Sequence, residues 1–138
     1  MSTHFQDISA ALDTKLNTFA AANNIPVAWE NIGYKPIIGT MFLRPTLLPG
    51  NTDSPGLSYT SALDHIGVYQ VDVISPIDKG KGQAITTADL VATAFPRGEL
   101  VYNGKTVTIK QASRRPGSRD NAWYIVPVII NYRSITGN

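Results

Sequence analysis

In the stretch HIGVYQVDVIS, residues 65–75, Tyr69, Val71 and Val73 alternate with Gln70 and Asp72. A period of two is the pattern of a strand that buries one face, because successive side chains in a strand point to opposite sides. Pro76 follows and marks its end. A chain with such a strand must also supply neighbours for its backbone groups and a layer to cover its apolar face. The rest of the sequence is read for both.

The cover comes from two helical patterns. In residues 3–22, Phe5, Ile8, Leu12, Leu16 and Phe19 recur at steps of three or four and line one face. Thr3 and Gln6 fit a capping box, and Asn23-Asn24 with Pro26 stops the helix. After Gly80-Lys81-Gly82, Ala84, Ala88, Val91 and Phe95 step by four, three and four, and Pro96 ends the run. Small residues on this second stripe let the helix approach a sheet closely.

The neighbours are strand candidates at 27–30, 40–48, 99–111 and 122–134. Pro45 and Pro127 each remove a ladder donor, which predicts an edge position or a bulge. Asn103-Gly104 between two alternating runs predicts a hairpin with a two-residue turn. Residues 49–64 carry two Pro-Gly pairs with little periodicity and read as a long loop of the kind that is often functional. Residues 112–121 read as a polar, basic loop. The order α, strands, α, strands predicts one α+β domain over 1–138, a mostly antiparallel sheet with both amphipathic helices on one face.

With 138 residues, 43% of them hydrophobic, the chain can bury a core. It has no cysteine, which excludes disulfides, thiolate metal sites and a Cys nucleophile. The N-terminus does not read as a signal peptide, and no apolar run reaches the roughly 20 residues that span a bilayer. A soluble protein with no membrane partner is expected.

Catalytic patterns were sought and none holds. Gly80-Lys81-Gly82-Gln83 lacks the first glycine and the hydroxyl of a P-loop, so it reads as a strand-to-helix joint. His4 and His65 fall in no metal-ligand spacing, and no Gly-x-Ser-x-Gly elbow accompanies Asp64-His65. No pair of acids is fixed in a glycosidase spacing, and Trp29 and Trp123 read as core. Neither an enzyme nor a cofactor is expected.

Charge is the remaining signal. Net charge is +2, yet residues 1–69 hold three basic and five acidic side chains, and residues 70–138 hold nine and five. Lys105, Lys110, Arg114, Arg115 and Arg119 form a run with no acid inside it. Such a run is a solvated loop, a contact for an acidic protein, or a contact for DNA phosphates. The absence of interleaved aromatics argues against a single-strand stacking platform.

The central block resembles the tail terminator family of long-tailed bacteriophages and prophages. The residues that carry the resemblance are Arg44-Pro45 before a Pro-Gly-rich loop, the strand Gly67 to Val73, the Gly80 to Ala84 joint, and the helix that ends in Phe95-Pro96. The resemblance implies a small α+β subunit that joins copies of itself into a ring, expected to be a hexamer, on the finished tail tube. Such a ring ends tube polymerisation and offers a docking surface to the head–tail connector proteins, at the head-proximal end of the tail in a virion assembled in the bacterial cytoplasm. Residues 49–64 and 112–121 are the candidate contacts along the ring axis, and non-specific passage of DNA would bring the basic run near phosphates. The alternatives are a head-completion or connector-side joining protein and a small nucleic-acid-binding module.

Overall fold

The computed structural model describes residues 4–29, 40–53, 63–76, 81–102, 105–120 and 123–136. Thr3 of the expected capping box, the turn residues Asn103 and Gly104, and Gly80 of the joint lie outside them. Two helices, α1 (His4–Asn23) and α2 (Lys81–Ala94), accompany a sheet of β1 (Phe42–Asp53), β2 (Leu63–Pro76), β3 (Gly98–Tyr102), β4 (Lys105–Arg114), β5 (Ser118–Asp120) and β6 (Trp123–Thr136). Strand order is β1-β2-β6-β4-β3, with β5 also on β6, and every strand pairing is antiparallel. The chain is α+β, with both helices on one face, as the patterns predict.

The ladder between β2 and β6 is unbroken from Leu63↔Thr136 to Pro76↔Trp123. It places Tyr69 opposite Ile130, Val71 opposite Val128 and Val73 opposite Val126, and all six are buried. Ile8, Leu12 and Leu16 of α1 and Ala84, Ala88 and Val91 of α2 pack on that face, and Phe95 closes the far side. Burial of aliphatic side chains stabilises by about 1.5–3 kcal/mol each, so this layer is the main stabilising mass.

The end of α1 follows the cap that the sequence predicts. Asn24 has φ 55°, the left-handed conformation asparagine tolerates. The Ile25 N–H donates to the Ala20 carbonyl at 2.9 Å, and the Asn24 N–H to the Ala21 carbonyl at 3.4 Å. These are the paired bonds of a Schellman motif. Further along, Tyr69 donates its hydroxyl proton to Asp13, which pins α1 to β2.

Several expectations are corrected. Of the expected strand at 27–30, residue 30 lies outside the described residues and 27–29 form no strand: Val27 makes one isolated bridge to Leu43, held by Ala28 N–H to the Leu43 carbonyl and Leu43 N–H to the Pro26 carbonyl. The expected loop at 49–64 is partly strand, since β1 runs on to Asp53 and β2 begins at Leu63, with a bulge between Pro49 and Thr52. The expected loop at 112–121 is also mostly strand. β4 continues to Arg114, and β5 resumes on the same side of β6 after an interruption at 115–117. Lys81 and Gly82, expected in the joint, lie in the first turn of α2. The tryptophans are half-buried: Trp29 packs against the core, and Trp123 meets Phe42 edge-to-face at 5.5 Å on the helix-free face.

The prolines fall where their missing donors are harmless. Pro45 is on the edge strand β1. Leu43 sends its backbone groups away from β2, and residues two apart along a strand point their N–H groups the same way, so Pro45 and Pro49 have their nitrogens on the free edge. Pro127 is in the central strand, not at an edge. Its carbonyl accepts from Arg115 at 2.8 Å, so its nitrogen also faces β4 and β5, at the place where that side is interrupted.

Gly67 has a packing reason. A Cβ there would lie 2.5 Å from the Tyr132 hydroxyl oxygen and 2.8 Å from the Leu48 carbonyl oxygen. Gly67→Ala is therefore expected to destabilise by about 1–3 kcal/mol through overpacking. Gly82→Ala, whose Cβ meets nothing within 4 Å, should leave stability unchanged or raise it by up to about 1 kcal/mol; urea denaturation of the two variants tests the contrast.

The Tyr132 hydroxyl itself is buried without a hydrogen bond among the described residues. Burial raises its pKa above the ordinary phenol value. The folded state thus favours the neutral phenol. Its contribution to stability is full below the unfolded value of about 10 and is lost as pH rises through the folded value. Tyr132→Phe should match the parent at pH 7 and lose less stability between pH 9 and 11, measured by thermal melts across that range.

Candidate assembly surfaces

Among the described residues no group of three or more His, Asp or Glu is placed to hold a metal ion. No described helix is long and apolar enough to cross a membrane. A cleft of about 690 Å³ between α1 and β1 is lined by Ser9, Asp13, Trp29 and Leu47. Its carboxylate is occupied by local partners: Ser9 donates to Asp13 at 3.3 Å and Tyr69 donates to the other oxygen. The histidine that could serve a serine sits elsewhere, with His65 buried in β2 opposite Ser134. These groups build a structural contact between helix and sheet.

The surface is more informative. Register sorts β-side chains into a helix-bearing face and a helix-free one. On the helix-free face Arg44 and Asp72 are cross-strand partners, with Arg44 Nη2 3.0 Å from Asp72 Oδ2. Gln70 Nε2 donates to the other carboxylate oxygen at 2.8 Å. Asp72 is thus a buried acid satisfied from two sides, while its arginine partner is half-exposed. The Arg44-Pro45 pair of the sequence therefore couples a carboxylate clamp to an edge guard.

The five cations of the basic run do not gather into one patch. They lie along β4, β5 and the break between them, from Lys105 at one end of the sheet to Arg119 near the other, a span by register on β6 of roughly 40 Å at about 3.3 Å per residue. Arg114 registers on the helix-bearing side and meets Asp89 of α2 at 2.7 Å, with both groups well exposed. Arg119 is opposite Tyr124 on that same side, and the exposed Arg115 uses its backbone on Pro127. Lys110 occupies the bulge between Ile109 and Gln111 and lines a cleft of about 820 Å³ with Arg97, Thr108 and Asn131. The Lys105 side chain lies outside the described groups. A stripe along the strands replaces the compact basic loop expected from sequence.

Two exposed surfaces lie on strands that the sequence predicts, without the exposure itself being predicted. The first is β3, an edge strand with Val101 72% and Tyr102 39% exposed, beside a cleft of about 480 Å³ lined by Phe19, Ala94 and Leu100. The second is the arm formed by β1 and β2, where Leu48 is 45% and Ile66 41% exposed. Pro45 alone predicts an edge or a bulge for β1, and its spacing to Pro49 adds that the edge is guarded, because residues four apart in a strand share one N–H direction. Asn103-Gly104 marks β3 as a hairpin strand, but nothing comparable in the sequence marks its exposure.

A family model described as phage tail terminator protein matches residues 7–132. One solved structure, of a protein that carries no functional name, is 26% identical, with a TM-score of 0.79 over 96% of each chain. A chain from the virion of a native gene transfer agent particle is 15% identical, with a TM-score of 0.64 over 98% of this chain and 99% of that one. At that identity the second likeness shows the fold alone. The comparison with curated proteins returns no match.

The two ion pairs differ in what their loss exposes. Arg44→Met leaves the buried Asp72 carboxylate with one fewer charge-assisted partner and should cost about 1–3 kcal/mol. Arg114→Ala removes an exposed pair and should change stability by no more than about 0.5 kcal/mol. Equilibrium unfolding of both variants tests the ranking.

Proposed function

Since the chain belongs to the phage tail terminator family, a family of structural phage-tail proteins, we propose that it closes into a ring, a hexamer by resemblance to the family, on the finished tail tube. The ring ends tube growth and presents its opposite surface to the head–tail connector at the head-proximal end of the tail. Assembly takes place in the bacterial cytoplasm.

The observation that carries this reading is the placement of the two candidate contact regions. Asp53 and Leu63, the described residues that flank the first region, lie at the Thr136 end of β6, while Asp120 and Trp123, which flank the connection in the second, lie at its other end. β6 separates these ends by 14 residues, roughly 45 Å at about 3.3 Å per residue. A subunit with its strands along the ring axis thus offers one contact region to the tube and the other to the connector. The cations of β4 and β5 follow the same direction but are divided between the faces, Lys110 on the helix-free one and Arg114 and Arg119 on the helix-bearing one, so either face turned to the path of DNA would present some of them. Their contacts with phosphates would be sequence-independent and weakened by salt.

Heterologous contacts that close by rotation give a ring, and the same contacts with an axial rise give a filament. A terminator must therefore bind the tube end while offering no equivalent site for another tube subunit. Deleting the gene tests the role directly. Electron micrographs of the lysate should show tails of abnormal and variable length, and purified protein added back should restore head joining. Tails of normal length beside unattached heads would assign the chain to head completion instead.

A further inference from the structure

We propose, resting on the ring reading above, that neighbouring copies are joined laterally through opposite edges of the sheet: the acidic β1–β2 arm of one copy seats against the β3–β4 edge of the next.

The first argument is charge. From Pro45 to Pro76, the end of β2, the chain holds three Asp and no Lys or Arg. Asp72 is taken by Arg44, while Asp53 and Asp64 are direct cross-strand partners near the end of the arm. From Arg97 to Arg119 the chain holds six cations and Glu99 as its one acid. Acid and base are thereby segregated to opposite lateral edges of one sheet. Copies placed side by side in the same orientation bring opposite charges together, whereas like edges repel. That is the charge pattern of a heterologous contact.

The second argument is apolar surface. Of the large apolar side chains exposed by more than a third among the described residues, Leu48 lies on the edge strand β1, Val101 and Tyr102 lie on the edge strand β3, Leu90 lies on α2, and Ile66 lies on the inner strand β2 in the cleft with Arg97 and Lys110. Each edge strand thus carries exposed apolar surface, Leu48 on β1 and Val101 with Tyr102 on β3, the composition of an interface core with a polar rim.

The third argument is height, for which β6 is the ruler. Ile66 pairs with Arg133 on one side, and Thr108 pairs with Arg133 on the other. Two residues further toward the arm, Asp64 is level with Ile135 and Asp53 is opposite Asp64. On the other side, Thr106 is two residues beyond Thr108 and is paired with Val101. The acidic and apolar-basic edges therefore meet at one level along the strands. Contacts at one level close by rotation with no axial rise, so they give a ring rather than a filament.

The contact is made by side chains. Leu43 is already bonded to residues 26 and 28, and Pro45 and Pro49 offer no N–H on the β1 edge. A continuous ladder from β3 onto that edge is denied, and with it the open-ended sheet that unguarded edges build.

Charge exchange tests the proposal. The variants D53K/D64K and K105E/K110E are prepared, and each is checked for a parental thermal melt. Assembly is followed by light scattering and electron microscopy, alone and on purified tail tubes. Each variant should need at least tenfold more protein to form rings, whereas an equimolar mixture should recover parental assembly, because basic arm then meets acidic edge and acidic arm meets basic edge alternately. V101D, at a side chain too exposed to affect folding, should impair assembly similarly. Parental assembly by either double variant, by folded V101D, or failure of the mixture to recover, overturns the lateral pairing while leaving the ring intact. Failure of the parent protein to form rings, free or on tubes, overturns the ring reading itself.

Discussion

The ladder between β2 and β6 is the constraint on which the other contacts depend. Both strands have 14 residues, and they pair without a bulge from end to end. Period-two alternation, once fixed at Tyr69, Val71 and Val73, is therefore transmitted across the ladder to Ile130, Val128 and Val126. A slip of one residue would turn Asp72 and Gln70 toward the helices and the valines toward solvent. The helices need only a stripe each, because the sheet supplies most of the buried area. The irregularities all lie on the outer neighbours: the Pro49/Thr52 bulge on β1, the Lys110 bulge on β4, and the break between β4 and β5. The centre is regular so that the flanks can bend.

That division explains which parts of the fold were legible in the sequence. The strand at 65–75, the two helices and the hairpin around 103–104 rest on local patterns, and a local pattern survives in the fold when the core face agrees with it. The alternation in β6 is masked by Ile125, Pro127 and Ile129, apolar on the second face, yet register still buries Val126 and Val128. Residues 50–53 and 118–120 carry glycine, asparagine, aspartate and arginine, which have little strand propensity. They are strands because a long central partner holds them. Residues 27–29 are the reverse case: Val-Ala-Trp favours a strand, but the segment touches the edge of β1 at one bridge.

The candidate surfaces were legible in charge and illegible in space. Counting cations along 105–119 found the stripe, but a loop would have gathered them, and a strand spreads them and turns alternate side chains to opposite faces. Arg114 thus meets Asp89 on the helix side while Lys110 lines a cleft with Arg97. The exposure of Val101 and Tyr102 had no sequence signature, since apolar alternation in an edge strand reads the same whether or not another element covers it.

The two edges of the sheet then differ in a way that bears on assembly. β1 is guarded by Pro45, by Pro49 and by the segment at 26–28, whereas β3 carries no proline and leaves Val101 in solvent. If both edges were open, each copy could extend the sheet of the next, and nothing in backbone pairing would stop the series. If both were guarded, no lateral contact would use the edges at all. One guarded edge and one open edge force recognition onto side chains, where charge and apolar contact select a partner and its height. Under the proposed role, a protein that stops a polymer must itself refuse to become one, and this asymmetry would be a physical means of doing so.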